Sequence, residues 1–391
     1  MSENIRTLKH VINPDQPSAH RFTDKDEIFF QDEFEKALVS ICEHINRLRD
    51  FDINKSDLAS SKKLPDGEKK LIHRHSTIGI FGSRGSGKTS FLLTIKNTFD
   101  NESKSGRDLL ESFDLKIESK EKPLELREEV WTLNSIDPSR IENEDKLLIT
   151  ITSKILGHVR ENNDGDLSKN QAIQDALEDL GRRFRVLFPE ATEEIQKEAA
   201  SDPLRFAGEV LFDADSGPKL AVAFHRFVAL AAEDLGVRCF LLPIDDVDTS
   251  FDKGWPLLET LRKYLSTDRL ITVVSGDLEF FDLIVQQEAH QRTSTYRSAE
   301  TSYRQNGISA EQSLHRKFAA VRRFPDQYLQ KIFPPNKRVR IPNIHDLLFY
   351  RNKYKNGLFI HIIKKAIYLY IALCNTSAQF FMDHQEGLEK I

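Results

Sequence analysis

The chain has 391 residues, of which 39% are hydrophobic and 30% charged, with a formal net charge of -5. That length accommodates two or three compact units around a continuous core, and the composition is that of a globular protein rather than a disordered one. The near-balanced charge excludes a global field drawing the chain to nucleic acid or anionic lipid, and three scattered cysteines, Cys42, Cys239 and Cys374, exclude a disulfide framework or zinc knuckle.

The start, Met1 to Asn4, lacks a basic stretch followed by an apolar run, so no secretory signal is expected and the cytoplasm is the natural compartment. Glu27 to Leu48 carries apolar residues at helical spacing: Phe30, Phe34, Leu38, Ile41 and Ile45. From Asn54 to Lys70 the composition turns to Lys, Ser, Asp, Pro and Gly, which reads as a linker. Residues 1–70 are therefore expected to form an N-terminal helical region and linker.

Ser76 to Phe81 is a short β-branched run ending in glycines, and a helical pattern starts at Ser90, so the segment reads strand, loop, helix. Val130 to Ile136 is expected to be a second strand, with Asp137-Pro138-Ser139 turning the chain into a helix containing Leu147, Leu148, Ile151 and Ile155. The region of about 157–236 is almost wholly helical and charged, with segments at Gln171 to Leu187, Glu193 to Ala200 and Lys219 to Leu235, and reads as a helical insertion.

Strands resume at Arg238 to Ile244 and Arg269 to Ser275, separated by a helix over Pro256 to Leu265, with a last short strand at Arg338 to Ile341. Alternating strands and helices imply an α/β fold with a parallel sheet, the core spanning 71–342. Pro243 conflicts with a central strand and suggests a bulge there. The stretch 343–391 carries helical signals at Ile344 to Tyr350 and Leu358 to Phe381, enough for a helical lid or the start of a further domain. Its most apolar part is broken by His361, Lys364 and Lys365, so no membrane span is expected.

The chemistry concentrates in Gly82-Ser83-Arg84-Gly85-Ser86-Gly87-Lys88-Thr89. Glycines at this spacing let backbone N–H groups curl around phosphate oxygens at a helix N-terminus. Lys88 would reach the β and γ phosphates, the Thr89 hydroxyl would ligate Mg2+, and Ser90 could donate to the α phosphate. A second element, Phe240 to Asp246, is an apolar strand delivering two carboxylates at its C-terminal end, where ligands of open parallel sheets bind. Asp245 would hold the magnesium through water, and Asp246 would polarise the attacking water. ATP and Mg2+ are accordingly the expected substrate and ion.

With Ile244-Asp245-Asp246-Val247-Asp248, Tyr328-Leu329-Gln330-Lys331-Ile332-Phe333 and Ile341-Pro342 beside the phosphate loop, the chain resembles KAP-type P-loop NTPases, relatives of the AAA+ and STAND ATPases. Asn134 to Ser139 followed by an apolar helix also resembles ATPases of bacterial antiphage systems of the RADAR type. The resemblance spans about Ile72 to Pro342. It implies an oligomeric ATPase acting in antiphage defence, with an effector subunit as partner. It also implies a polar sensor after the strand Leu270 to Val274, for which Ser275 and Asp277 are the candidates. An arginine supplied by a neighbouring subunit is drawn from Arg316, Arg322 and Arg323.

Two other functions compete with turnover. A nucleotide-gated interaction module would use ATP to hold a homo-oligomer or partner with little hydrolysis. The segment 313–340, with eight Lys or Arg against Asp326 alone, would suit a nucleic-acid-stimulated ATPase. Asn54-Lys55-Ser56-Asp57 spells a guanine-reading motif but precedes the phosphate loop, so GTP is not expected, and His73 and His75 lack a third ligand for a metal. No Gly-x-Ser-x-Gly, His-Glu-x-x-His or Cys-x-x-Cys pattern occurs.

Overall fold

A computed structural model describes residues 21–28, 30–59, 76–117, 122–141, 146–166, 170–188, 203–249, 251–295 and 324–342. These fall in the compact unit that ends at Ile341, apart from Pro342. Five parallel strands form one sheet: β1 (Thr77–Phe81), β2 (Val130–Thr132), β3 (Cys239–Ile244), β4 (Leu270–Gly276) and β5 (Arg338–Arg340), in the spatial order β2-β3-β4-β1-β5. The protein is thus α/β, and all five expected strands are present, shifted at their ends by a few residues.

Helices cover both faces, and strand residues alternate between them. Ile78, Ile80, Leu241, Ile271 and Val273 face a layer made by α1 (Gln31–Ala59), α2 (Lys88–Phe99), α3 (Lys104–Ser112) and α4 (Pro123–Glu128). Phe81, Phe240, Leu242, Ile244 and Val274 face the opposite layer. That layer holds α5 (Lys146–Asn162), α6 (Gln171–Arg183), α7 (Pro203–Asp234), α8 (Phe251–Lys263), α9 (Leu278–Thr295) and a helix over 324–332, here α10. Each fully buried Ile or Leu in these layers contributes on the order of 1.5–3 kcal/mol of transfer free energy.

The connection from β1 to β2 runs across the sheet in one direction, and every later connection runs the other way. Reversing direction reverses the covered face, as right-handed crossovers require. The reversal places a crevice between β1, which exits towards α2, and β4, which exits towards α9 on the opposite layer. Ligands of open α/β sheets bind in such a crevice, beyond the C-terminal strand ends.

Several boundaries differ from the sequence reading. Helix α1 continues to Ala59, through the first residues of the expected linker, because no Pro or Gly interrupts it before Pro65; Asn54 to Asp57 is part of this helix. The buried face of α1, from Phe34 to Leu48, packs in the same core as β1 and α2, so it belongs to the sheet's own layer. Helix α7 starts at Pro203, well before the expected Lys219, and α8 starts at Phe251, which leaves Pro256 inside it. The segments Glu193 to Ala200, Ile344 to Tyr350 and Leu358 to Phe381, and His73 and His75, lie outside the described residues.

Pro243 causes no bulge in β3, whose register with β4 runs unbroken from Phe240 to Ile244. The irregularity falls on its other neighbour. Leu133 N donates to Leu241 O at 2.9 Å and Ile136 N to Pro243 O at 2.9 Å, while Asn134 and Ser135 bow away where an amide at residue 243 would have donated. Pro243 is tolerated because the strand facing its missing N–H breaks at that point. Among the described residues no helix is long and apolar enough to cross a membrane.

Candidate functional site

Phe81 ends β1 locked among rings, with its centroid 5.2 Å from Phe333 and 6.1 Å from Phe281, both edge-on. The glycine loop leaves from this fixed point. Gly82 N donates to Gly276 O at 3.2 Å, which ties the start of the loop to the end of β4. A Cβ at Gly82 would stand 2.4 Å from Ser86 Oγ and 3.0 Å from Ile341 O, so only glycine allows the loop to close this tightly. Gly87 sits at φ 89°, in the left-handed region, and serves as the N-cap of α2.

Helix α2 opens with no side-chain cap and no acid in its first turn. Its first amides lack intrahelical acceptors, and the partial positive charge of its dipole has no carboxylate in the helix's own first turn to offset it. The Ser86 hydroxyl beside it is buried and has no hydrogen-bond partner among the described residues. The start of the helix and the Ser86 hydroxyl together offer donors suited to an anion.

Lys88, 9% exposed, lies beneath the loop. Its Nζ donates to Gly82 O at 2.9 Å and Ser83 O at 3.3 Å, and pairs with Asp248 Oδ2 at 3.0 Å. Thr89 and Ser90 follow in the first turn of α2, both partly exposed, while Ser83, Arg84 and Gly85 are exposed at the loop tip.

The carboxylates come from the end of β3. Asp245 N donates to Ile136 O at 2.9 Å, which fixes the backbone, and Ser275, wholly buried in β4, donates its hydroxyl to Asp245 Oδ1. Asp246 is exposed and adopts φ 54°. A non-glycine residue there is uncommon and concentrates at turns that aim a side chain, Asp and Asn tolerating it best. Partial burial, and then the carboxylates of Asp245, Asp137 and Asp248, push the Asp246 carboxyl above the usual range, with Lys88 pulling the other way.

Of the expected residues, the fold brings Gly82 to Ser90, Asp245, Asp246 and Ser275 to the C-terminal edge of the central strands. Asp277 is engaged elsewhere, its carboxylate accepting from Glu279 N at 2.9 Å at the start of α9. Arg316, Arg322 and Arg323 lie outside the described residues. Two further acids join the site without a role expected from the sequence. Asp248 pairs with Lys88, and Asp137 caps the turn Pro138–Arg140 while facing Asp246 electrostatically. Both stand in segments that the sequence singles out, Asp-Asp-x-Asp and Asp-Pro-Ser, and only the strand order reveals what they face.

Among the described residues no three His, Cys, Asp or Glu side chains converge to hold a metal ion by themselves. The oxygens on offer are the Thr89 hydroxyl and the Asp245 carboxylate, hard donors suited to a magnesium ion that keeps waters and phosphate oxygens as its other ligands. No protein-family model matches the chain, and no curated protein matches it.

Proposed function

We propose that this chain binds ATP with magnesium at the Gly82 to Thr89 loop and hydrolyses it. The observation that carries the reading is the uncapped start of α2 behind a tight glycine loop, with Lys88 beneath it and Asp245 and Asp246 across the crevice. Backbone amides of the loop and the Lys88 ammonium hold the β and γ phosphates. Thr89 and Asp245 would hold magnesium, which neutralises charge on the phosphate oxygens.

Asp246 orients a water and draws on its proton as the water oxygen bonds to the γ phosphorus and the bond to the bridging oxygen breaks, leaving ADP and phosphate. Its raised proton affinity suits that role. Ser275 keeps one oxygen of Asp245 fixed, leaving the other for the ion's water shell.

The test is a pair of variants. Lys88→Ala should abolish capture of ATP, whereas Asp246→Asn should bind it and release little phosphate. Asn also tolerates φ 54°, so the second variant keeps the backbone. Equal phosphate release by both variants and the parent would remove the activity. Homo-oligomerisation, with Arg316, Arg322 or Arg323 completing a neighbour's site, is part of the same proposal, as is a role in antiphage defence, which rests on the sequence resemblance alone. Mass in solution with and without an ATP analogue tests the assembly.

A further inference from the structure

We infer that Asp248 is an internal stand-in for phosphate, occupying the Lys88 ammonium until a nucleotide displaces it. This rests on the phosphate-loop reading and adds a regulation of the same site. A lysine ammonium has three donors. Here two are taken by the Gly82 and Ser83 carbonyls and the third by Asp248, so Lys88 is saturated.

Asp248 reaches this position through local backbone geometry. It sits inside the short 3-10 turn Val247–Thr249, and its own φ of -87° and ψ of 17° break the helical geometry there. Strand β4 lies between β1 and β3, so the pair bridges two strands that are not neighbours. The side chains of Lys88 and Asp248 are only 10% and 16% exposed, which limits solvent screening of their attraction.

A triphosphate cannot add to this arrangement unchanged. Its oxygens need the third donor of Lys88, and their charge would repel a carboxylate held at the same ammonium. Nucleotide entry is therefore an exchange of one anion for another. The empty state is favoured by the pair and the loaded state is not, so the apparent affinity falls by the factor that the pair contributes.

The experiment measures binding of adenylyl imidodiphosphate, without and with magnesium, to the full chain and to four variants. Asp248→Asn and Asp248→Ser, neutral replacements of different size, are expected to bind about tenfold tighter than the parent. Asp248→Glu keeps the charge and should remain within about twofold of it. The thermal midpoint without nucleotide should fall in the neutral variants, and the shift on adding analogue should grow. Equal or weaker binding by whichever neutral variant folds, with Lys88→Ala blind to the analogue, would overturn the stand-in role and leave the phosphate loop intact. Failure of parent and neutral variants alike to capture the analogue would overturn the loop reading and this inference with it.

Discussion

The Ser275 hydroxyl donates to Asp245 Oδ1 across the ends of β4 and β3, with Ser275 itself wholly buried. A hydroxyl donating to a carboxylate is among the stronger neutral-to-charged bonds, contributing about 1.5–3 kcal/mol. It also fixes which Asp245 oxygen is occupied. Ser275→Ala should therefore destabilise the fold by about 1.5–3 kcal/mol in urea titration. It should also lower kcat more than it raises the KM for ATP. A fall in stability with unchanged kcat would make Ser275 a core residue only.

Asp246 lies among three other carboxylates, and the hydrolysis proposed above needs its ionised form. Its acid limb should therefore lie above the ordinary carboxylate range. Asp137→Asn removes one neighbouring negative charge while keeping an oxygen for the amide of Ser139. The acid limb of kcat/KM, which reports the protein before nucleotide binds, should move to lower pH, with the plateau retained. A limb that stays in place in this variant would show that another group controls it.

Strands β1, β3 and β4 are legible in the sequence because each is a largely apolar run ending at or beside Gly or Asp, and such runs are interpretable without tertiary context, whereas β5 is only Arg-Val-Arg. The end of helix α1 is not legible, because Asn54 to Ala59 is polar enough to suit a linker, while helix continuation needs only the absence of a breaker. The glycine loop on which the proposed function rests is legible because all its residues are consecutive. Asp248 is not, because its partner Lys88 is distant in sequence and the two meet only once β4 is inserted between β1 and β3. Pro243 signals a defect in its own strand, whereas the break falls on the neighbouring chain at Asn134 and Ser135.

Glu259 joins α8 to α10, receiving hydrogen bonds from Arg262 at 3.1 Å and from Tyr328, and pairing with Lys263. Burial works against its charge, but bonds from Arg262, Lys263 and Tyr328 outweigh this and hold the carboxyl down at about 2. A depressed carboxyl stabilises the fold fully above its unfolded value, near 4.5, and loses that contribution as pH falls towards 2. Allowing for solvent screening, the network contributes on the order of 1 kcal/mol. Glu259→Gln should be less stable than the parent by that amount at pH 7, and the gap should narrow below about pH 4 in denaturant titrations. A gap independent of pH would assign the loss to packing of Trp255 against Tyr328 instead.

Lys337 lies at the entry to β5, 5% exposed, and its Nζ has no hydrogen-bond partner among the described residues. Burial, then Arg47, push its ammonium down to about 8, with Glu43 and Asp268 pulling upward. An unfolded lysine titrates near 10.5, so between about 8 and 10.5 the unfolded chain holds more protons and stability rises with pH. Below pH 8 the fold carries the whole cost of the buried charge, about 3 kcal/mol by that difference. Lys337→Met fills the same space without charge. It should raise stability at pH 7 by up to about 3 kcal/mol, and the advantage should shrink as the pH approaches 10.5. A variant less stable than the parent at pH 7, with a pH-independent difference, would mean that the ammonium has a partner that stabilises it.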